Sequence, residues 1–435
     1  MPDRAIRFLV ASDLHLEQPV TGLADPPEFL RDLMVEAPYL AAERVFETAL
    51  SENVDFLLLA GDVVDPWASG PRGPAFLVEQ FRRLAAREIS VLWAGSPLDR
   101  LADWPLGIAL PANITTFAHG HPQERVVHRG EARLARVLGV SVDGTPHPNL
   151  ADFAASDDLF SIGLVHGHFD SQQLRQAELN CWALGGEHRR NVLSNDTPTV
   201  LYPGSVQGRH PRELGAHGCT LVEVSRRPAV DHERRPPRYE VRCRSIHTDV
   251  LRWENVELHA EHLTSREQLK DALVTQLAAL HDQSRDTDLV VNVTVLADSS
   301  RVADWRSYTP PLLEQVRQAL GRRSPTCWTA TISFRIAADH DHHAEEDTLL
   351  GDMLRELHRY GDEPSLEVEL SKYLSERQLA GTLGAALEFL HGDDRSEVLA
   401  DATALAIELL GPGAGDGTQS IGAGLPTSTG RRETP

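Results

Sequence analysis

The chain has 435 residues, 41% of them apolar, and sets 42 Lys plus Arg against 64 Asp plus Glu for a formal net charge of −22. That length and apolar content support two or three domains with separate cores and exclude a wholly disordered chain. The acid excess argues against a protein coated in basic surface for unspecific nucleic-acid binding, though a local basic groove stays compatible with it.

The charge is uneven, with a net −8 over residues 1–250 and −14 over residues 251–435. Four cysteines, Cys181, Cys219, Cys243 and Cys327, are too dispersed for a C-x-x-C pair and too few for a disulfide framework. A reducing cytoplasm is the expected location. The opening MPDRAIRFLVASDLHL carries no cleavage pattern, and no stretch reaches the roughly 18 apolar residues of a spanning helix. Neither a signal peptide nor a membrane segment is expected.

In chain order, short apolar runs ending in polar residues read as buried strands. They are Ile6 to Asp13, Val54 to Asp62, Ile89 to Ser96, Leu159 to Gly167, Cys181 to Gly186 and Thr199 to Ser205. Between the first three, Tyr39 to Leu50 and Ala75 to Arg87 have apolar residues at helical spacing. Strands alternating with helices predict an α/β sheet buried on both faces, with chemistry at the carboxyl ends of its strands. Seven arginines between Ser225 and Arg244 mark a connector or exposed hairpin. The block from 250 to 336 predicts a small α/β unit: a strand near Trp253, a helix carrying Leu269, Leu273, Leu277 and Leu280, the strand LVVNVTVLA, a helix after Pro311 and the strand CWTATISFRI. Leucines from Leu349 to Leu410 predict a small helical core, and the Gly, Ser, Thr and Pro of the last residues predict a disordered tail.

The polar strand ends carry the chemistry. Asp13 and His15 in SDLH, Asp62 and Asp65 in GDVVD, His166 and His168 in LVHGHFD, and His188 in LGGEH each follow an apolar run. Carboxylate oxygen with imidazole nitrogen is the ligand mix of a divalent ion such as Mn, Fe or Zn. One D-x-H alone is weak evidence, but several strand ends converging on such side chains are strong evidence.

In this order of motifs the chain resembles the calcineurin-like metallophosphoesterases, whose pattern is D-x-H, G-D-x-x-D, G-N-H-D or E, a lone His, and G-H-x-H. The fuller resemblance is to their DNA-repair exonuclease branch, the SbcD and YhaO type. It is carried by ALPANITTF, by YPGSVQGRHPRELGAHGCTLVEV (Tyr202 to Val224) and by VLRWENVEL. It covers roughly residues 6 to 340 and is specific up to Val224. The resemblance implies a sandwich of β-sheets flanked by helices, with a smaller α/β capping domain and a helical C-terminal extension. The expected boundaries are 1–244, 245–340 and 341–411, with the composition of 412–435 marking a disordered tail. The resemblance also implies two metal ions sharing a carboxylate. The first would be held by Asp13, His15, Asp62 and His188; the second by Asp62 as bridge, by His166 and by two further residues. Asp65 would orient neighbouring groups.

The chain departs from the family where those further residues fall. Gly95-Ser96-Pro97-Leu98 stands for G-N-H-D, and Gly185-Gly186-Glu187-His188 for G-H-x-H. Ser96 thus replaces a metal-binding Asn, Pro97 the catalytic His, and Gly186 a metal-binding His. Loss of a general acid or base typically costs about 100-fold to 10,000-fold. His168 and Glu187 are the ligand-type side chains near enough in sequence to substitute. The expected cofactor is a divalent metal, manganese, with one ion rather than two.

The resembled branch implies a coiled-coil SMC-like ATPase of the SbcC and YhaN type as partner, DNA as ligand, a homodimer, and no membrane. Two functions of different class follow: a metal-dependent DNA phosphodiesterase or exonuclease with impaired catalysis, and a non-catalytic scaffold for DNA or the ATPase. Other tempting histidines read more plainly. His119 and His121 fit an exposed loop. His340, His342 and His343 fit a solvated linker, and the arginine run fits a hairpin with ion pairs.

Overall fold

The computed structural model describes residues 5–144, 148–154, 159–194, 197–226, 239–284, 286–321, 324–337 and 348–362, with isolated positions between 399 and 410. Its contacts divide it into two units. One comprises Met1–Asn255, Thr275–Asn292 and Leu320–Ala330; the other comprises Val256–Val274, Val293–Ala319 and Thr331–Pro435.

Two six-stranded sheets make the frame of the first unit. The first sheet joins β1 (Ile6–Ala11), β2 (Phe56–Ala60), β3 (Ser90–Ala94), β4 (Ile114–Thr116), β11 (Gly218–Arg226) and β12 (Tyr239–His247) in the order β12-β11-β1-β2-β3-β4. Strands β1 to β4 run parallel, and β11 and β12 add antiparallel on the far side of β1. The second sheet joins β5 (Gln123–Arg129), β6 (Ala132–Gly139), β7 (Phe160–His166), β8 (Cys181–Gly185), β9 (Asn191–Ser194) and β10 (Thr199–Tyr202) in the order β5-β6-β7-β8-β10-β9.

Side-chain alternation along a strand sorts the core into layers. On β1, Phe8 and Val10 point between the sheets and meet Phe56, Leu58, Val137, Phe160, Ile162, Leu164 and Ala183. Leu9 and Ala11 point the other way, under helices α1 (Glu28–Ser51) and α3 (Arg72–Ala85), against Val45, Phe46, Leu77 and Phe81. The outer face of the second sheet buries Trp182, Leu184 and Tyr202 against Phe153 and against Leu174 of the short helix α4 (Ser171–Gln176). The fold is thus mixed α/β, two sheets face to face with helices outside. All six strands expected from the apolar runs are present, each trimmed by one to three residues at its polar end.

Helix α1 is longer than its spacing suggested, because it runs through Pro38. A proline inside a helix removes one backbone bond and crowds the preceding turn. Here Leu30, Met34 and Ala37 extend the buried stripe upstream and pack on Val20, Val250, Leu251 and Trp253, which outweighs that penalty. The part of the arginine run that is described belongs to the β11–β12 hairpin. There Arg242 bonds Glu240 and Arg244 bonds Glu52 at 2.7 Å.

Downstream, β13 (Leu251–His259), β14 (Asp288–Ala297) and β15 (Cys327–Ile336) form a three-stranded sheet in that order. They alternate with α5 (Arg266–Gln283) and with α6 (Ser299–Ser307) and α7 (Thr309–Leu320). Of these, only α6 lacked a sequence signal. Helix α8 (Leu349–Asp362) buries Leu350 and Leu354 beside Ala406. His340, His342, His343 and the tail from 412 lie outside the described residues, as do most positions of the leucine-rich stretch. Among the described residues, no helix is long and apolar enough to cross a membrane.

All four cysteines are free thiols, and Cys181, Cys219 and Cys327 are buried. Burial pushes the Cys219 thiol up to about 12 and raises Cys181 well above its ordinary value, so neither forms the reactive thiolate. Native protein treated with iodoacetamide at neutral pH should gain at most one adduct, on the half-buried Cys243, and four after denaturation. Intact-mass analysis reads this directly, and rapid native labelling of Cys181 or Cys219 would contradict the packing described.

Candidate metal centre

Strands β1 and β2 run side by side, and the loops at their carboxyl ends are hydrogen-bonded to each other. The Asp13 N–H donates to the Gly61 carbonyl and the His15 N–H to the Asp62 carbonyl, both at 3.0 Å. To make these turns, Asp13, His15 and Asp62 take the left-handed backbone, with φ of 53°, 42° and 53°. Side chains other than glycine rarely sit there, and such strain clusters at functional sites. It aims two carboxylates and an imidazole at one point above the first sheet. The second sheet supplies the opposing side, with His166 ending β7 and His188 just past β8.

These five residues form two overlapping groups. The ligand-type atoms of Asp13, His15 and His188 lie within 4.8 Å of one another, and so do those of Asp13, Asp62 and His166. The closest approaches are His15 Nε2 to Asp62 Oδ2 at 3.5 Å, His166 Nε2 to the same oxygen at 3.7 Å, and His188 Nε2 to Asp13 Oδ1 at 3.8 Å. These separations are too long for hydrogen bonds. They suit atoms that share a cation, since two ligands each about 2.1 Å from a metal at a tetrahedral angle sit roughly 3.4 Å apart. Asp62, the expected bridge, has its Oδ2 near both His15 and His166, and Asp13 is the carboxylate common to both groups.

Whether the site fits a cation is tested by its orphaned atoms. Asp13 Oδ1 and His15 Nε2 are buried without a hydrogen-bond partner, while His15 Nδ1 and Glu17 Oε1 face each other 3.4 Å apart on the far side of the ring. Unpaired buried polar atoms each cost about 1–3 kcal/mol, more when charged, and a divalent ion would satisfy the first two. The tautomers agree. His166 Nδ1–H donates to the Ala60 carbonyl at 3.0 Å, and His188 Nδ1–H to Glu213 Oε1 at 2.6 Å. Each ring thereby presents an Nε2 lone pair to the carboxylates, the arrangement found behind metal-bound histidines.

Burial raises the Asp13 carboxyl above its ordinary value, and the charge of Asp62 adds to this. The Ser12 hydroxyl, His166 and the Gly186 N–H at 3.1 Å pull the other way. Glu213 behaves oppositely. Burial opposes its ionisation, but the His188 hydrogen bond and the charge of Arg209 outweigh burial and hold it well below the usual carboxylate range.

The remaining expected residues are distributed as follows. Asp65 caps helix α2 (Pro66–Ser69), accepting from the Trp67 and Ala68 N–H groups, and its own N–H donates to Glu17 Oε2 at 2.9 Å. It therefore orients Glu17, which faces His15 Nδ1 at 3.4 Å. Ser96 is fully buried. Its Oγ lies 2.5 Å from Asp62 Oδ1 and 2.6 Å from Asp99 Oδ1, and it accepts from the Leu98 N–H. Asp99, also buried, accepts from Trp93 Nε1, the Val63 N–H and the Ser96 N–H, so it fastens the β3 loop beneath Asp62. Pro97 is exposed at the tip of that loop.

Gly186 has φ of 99°, and a Cβ there would stand 3.3 Å from His166 Nε2. The loop is thus shaped around glycine, and a histidine side chain would start from a strained backbone pressed on a ligand. His168 and Glu187 face each other at 3.6 Å, with His168 72% exposed, and neither belongs to the two ligand groups. His119 and His121 are exposed. Sequence reasoning missed Glu17, Asp99, Arg209 and Glu213. Glu17 had a signal, an acid two residues after His15, and Arg209 and Glu213 lie in the Tyr202 to Val224 segment.

Comparison with known proteins agrees with this centre. Residues 6–201 match the family model described as calcineurin-like phosphoesterase. Over this stretch the chain is similar to a calcineurin-like phosphoesterase domain. A Bacillus subtilis (strain 168) protein described as uncharacterized metallophosphoesterase YhaO is 32% identical over 235 residues, covering 51% of this chain and 58% of that protein. The chain therefore matches less than two thirds of that relative's length. Among solved structures, a dimetal phosphatase from Danio rerio aligns at 12% identity and a TM-score of 0.30, over 51% of this chain and 95% of its own. Vps29 from Cryptosporidium parvum (16%, 0.24) and zinc-complexed Vps29 from Entamoeba histolytica (18%, 0.22) each align over 56% of this chain and 100% of their own. At these scores the structural likenesses carry no argument.

A stability reversal follows from the orphaned, mutually repelling carboxylates. In chelator near pH 7, Asp13→Asn should unfold at a higher temperature than the parent, because it removes a buried charge whose pKa is raised. Manganese should stabilise the parent, by about 2.7 kcal/mol at a free concentration 100 times its Kd, and leave Asp13→Asn unchanged. Thermal unfolding with and without manganese measures both, and a parent indifferent to manganese would contradict the site.

Proposed function

We propose that this domain is a divalent-metal-dependent phosphodiesterase of slow turnover, acting on DNA. The observation that carries the reading is the Asp13-centred pair of ligand groups with its orphaned buried atoms. Asp13, His15 and His188, with Asp62 Oδ2 facing His15, hold the first ion, manganese by preference. Asp13, Asp62 and His166 offer a second position that lacks the further side chains of the resembled pattern. A bound divalent ion supplies charge neutralisation at phosphorus and a lowered pKa for water.

The protein's own groups set the rest. The centre is crowded with acids, Asp13, Glu17, Asp62 and Asp99, so an anionic phosphodiester is repelled until a cation is present. Metal dependence is therefore electrostatic as well as chemical. His166 and His188 are held by Ala60 and Glu213 with Nε2 free, and Glu17 holds the far side of His15. No proton-donating side chain occupies position 97, where the resemblance places the catalytic His, so protonation of the leaving oxygen falls to solvent. Slow turnover is the expected consequence. The same exposed Pro97 favours a second reading, a scaffold that binds DNA or a coiled-coil SMC-like ATPase without cleaving. A homodimer and such an ATPase partner belong to both readings as proposals.

Manganese-dependent hydrolysis of bis(p-nitrophenyl) phosphate and of linear duplex DNA tests this. Slow cleavage by the parent, abolished in Asp62→Ala, is expected; no cleavage by the parent with manganese bound would favour the scaffold. Because Pro97 is exposed, Pro97→His should fold normally and raise kcat on the order of 10-fold or more. An unchanged kcat would show that the missing proton donor is not what limits the rate.

A further inference from the structure

The segment from the end of β10 to Gly218 contributes no atom to either ligand group, yet several of its hydrogen bonds lead to one residue, His188. The His188 Nδ1–H donates to Glu213 Oε1 at 2.6 Å. Four residues on, His217 Nε2 lies 3.3 Å from the Glu213 carbonyl, which can only accept, so this nitrogen carries the proton. His217 Nδ1 is then an acceptor, and the Ser205 Oγ–H donates to it at 2.9 Å. The Ser205 N–H donates to the His188 carbonyl at 2.9 Å. These bonds close a ring: His188 side chain, Glu213, His217, Ser205, and back to the His188 main chain. The Ser205 hydroxyl also lies 3.3 Å from the His188 carbonyl, and each neutral imidazole in the ring has a single admissible tautomer. Neutral His217 agrees with its burial, which lowers its pKa against the pull of nearby Glu213 and Asp249.

The other oxygen of Glu213 is fixed as well. Its Oε2 accepts from the Arg209 N–H at 2.7 Å, and the buried Arg209 guanidinium lies 3.1 and 3.3 Å from the two ring nitrogens of His188. A nitrogen that close to both ring nitrogens lies over the imidazole face, so the ring is clamped from its edge and from one side. Two glycines leave the space in which this closes. A Cβ on Gly208 would stand 2.8 Å from the Glu213 carbonyl oxygen and 3.0 Å from His217 Nε2, wedging that bond apart. A Cβ on Gly204, where φ is 84°, would stand 3.0 Å from the His188 carbonyl oxygen.

We infer that Glu213 and His217, with Ser205, Arg209, Gly204 and Gly208, are a positioning cradle that fixes the tautomer and direction of His188 and thereby sets the affinity of the first ion position. The inference rests on the metal-binding reading above. It assigns a task to the G-S-V-Q-G-R-H-P-R-E-L-G-A-H-G run: none of these residues touches the ion, and together they make a surface histidine, itself 37% exposed, behave as a fixed ligand. Removing partners that hold a metal-bound histidine typically costs 10-fold to 100-fold in metal affinity.

The test uses the full chain and manganese alone. In metal-free protein with 15N-labelled histidine, the His188 ring signals, assigned by their loss in His188→Gln, should report a protonated Nδ1 and an unprotonated Nε2. Manganese calorimetry should show Glu213→Gln and Gly208→Ala weakened by roughly 10-fold to 100-fold. Gly107→Ala, which adds a Cβ in open space, should match the parent. Circular dichroism separates misfolding from mispositioning; if Gly208→Ala unfolds, Glu213→Gln decides. A protonated Nε2 on His188, or parental affinity in a folded Glu213→Gln, overturns the cradle. Failure of the parent to bind manganese would instead sink the proposed function, and the tautomer reading needs no metal.

Discussion

The buried carboxylate of Asp13, 1% exposed and held in a left-handed turn at the end of β1, is the constraint from which the rest of the centre follows. An ionised carboxylate out of water is costly unless it is paired. Asp13 receives two hydrogen bonds on one oxygen, from Ser12 and Gly186, and none on the other. The free oxygen faces imidazoles rather than a guanidinium or ammonium group. That unbalanced charge is what a bound cation would neutralise, and Asp13 belongs to both candidate ligand groups.

Two features of the fold keep Asp13 in place. The backbone bonds between the β1 and β2 loops fix its turn, and the face-to-face packing of the two sheets brings His166 and His188 over it. The interior between the sheets, with Phe8 stacked on Phe56 and tilted against Phe160, supplies the burial that holds them together. A second row of groups then fixes the side chains. Asp99 fastens Ser96 beneath Asp62, Asp65 and Glu17 stand behind His15, and Glu213 stands behind His188. These outer groups are nearly all acids, so the centre carries more negative charge than its ligands alone suggest.

Much of this was legible in the sequence, for definite physical reasons. Buried parallel strands are continuous apolar runs, and the polar residue ending each run marks the sheet edge where chemistry gathers. Asp13, Asp62, His166 and His188 could therefore be placed on one rim from the sequence alone. What could not be read was orientation. The shared role of Asp13 depends on its φ of 53°, and Glu213 reaches His188 from some 25 residues away through a contact no periodicity encodes. Helix α1 was legible only from Tyr39 onward; its upstream half, through Pro38, is set by tertiary burial of Leu30, Met34 and Ala37. Gly186 read simply as a missing ligand; its left-handed backbone against His166 shows a loop built to have no side chain there.

The central claim is that Asp13, His15 and His188 hold a divalent ion beside the Asp62 and His166 pair. Anomalous diffraction from manganese-soaked crystals tests it most directly. The account predicts an anomalous peak about 2.0–2.3 Å from a carboxylate oxygen of Asp13 and from Nε2 of His188, with a weaker peak or none at the Asp62–His166 position. A well-ordered crystal at saturating manganese with no peak within ligand distance of Asp13 would contradict it.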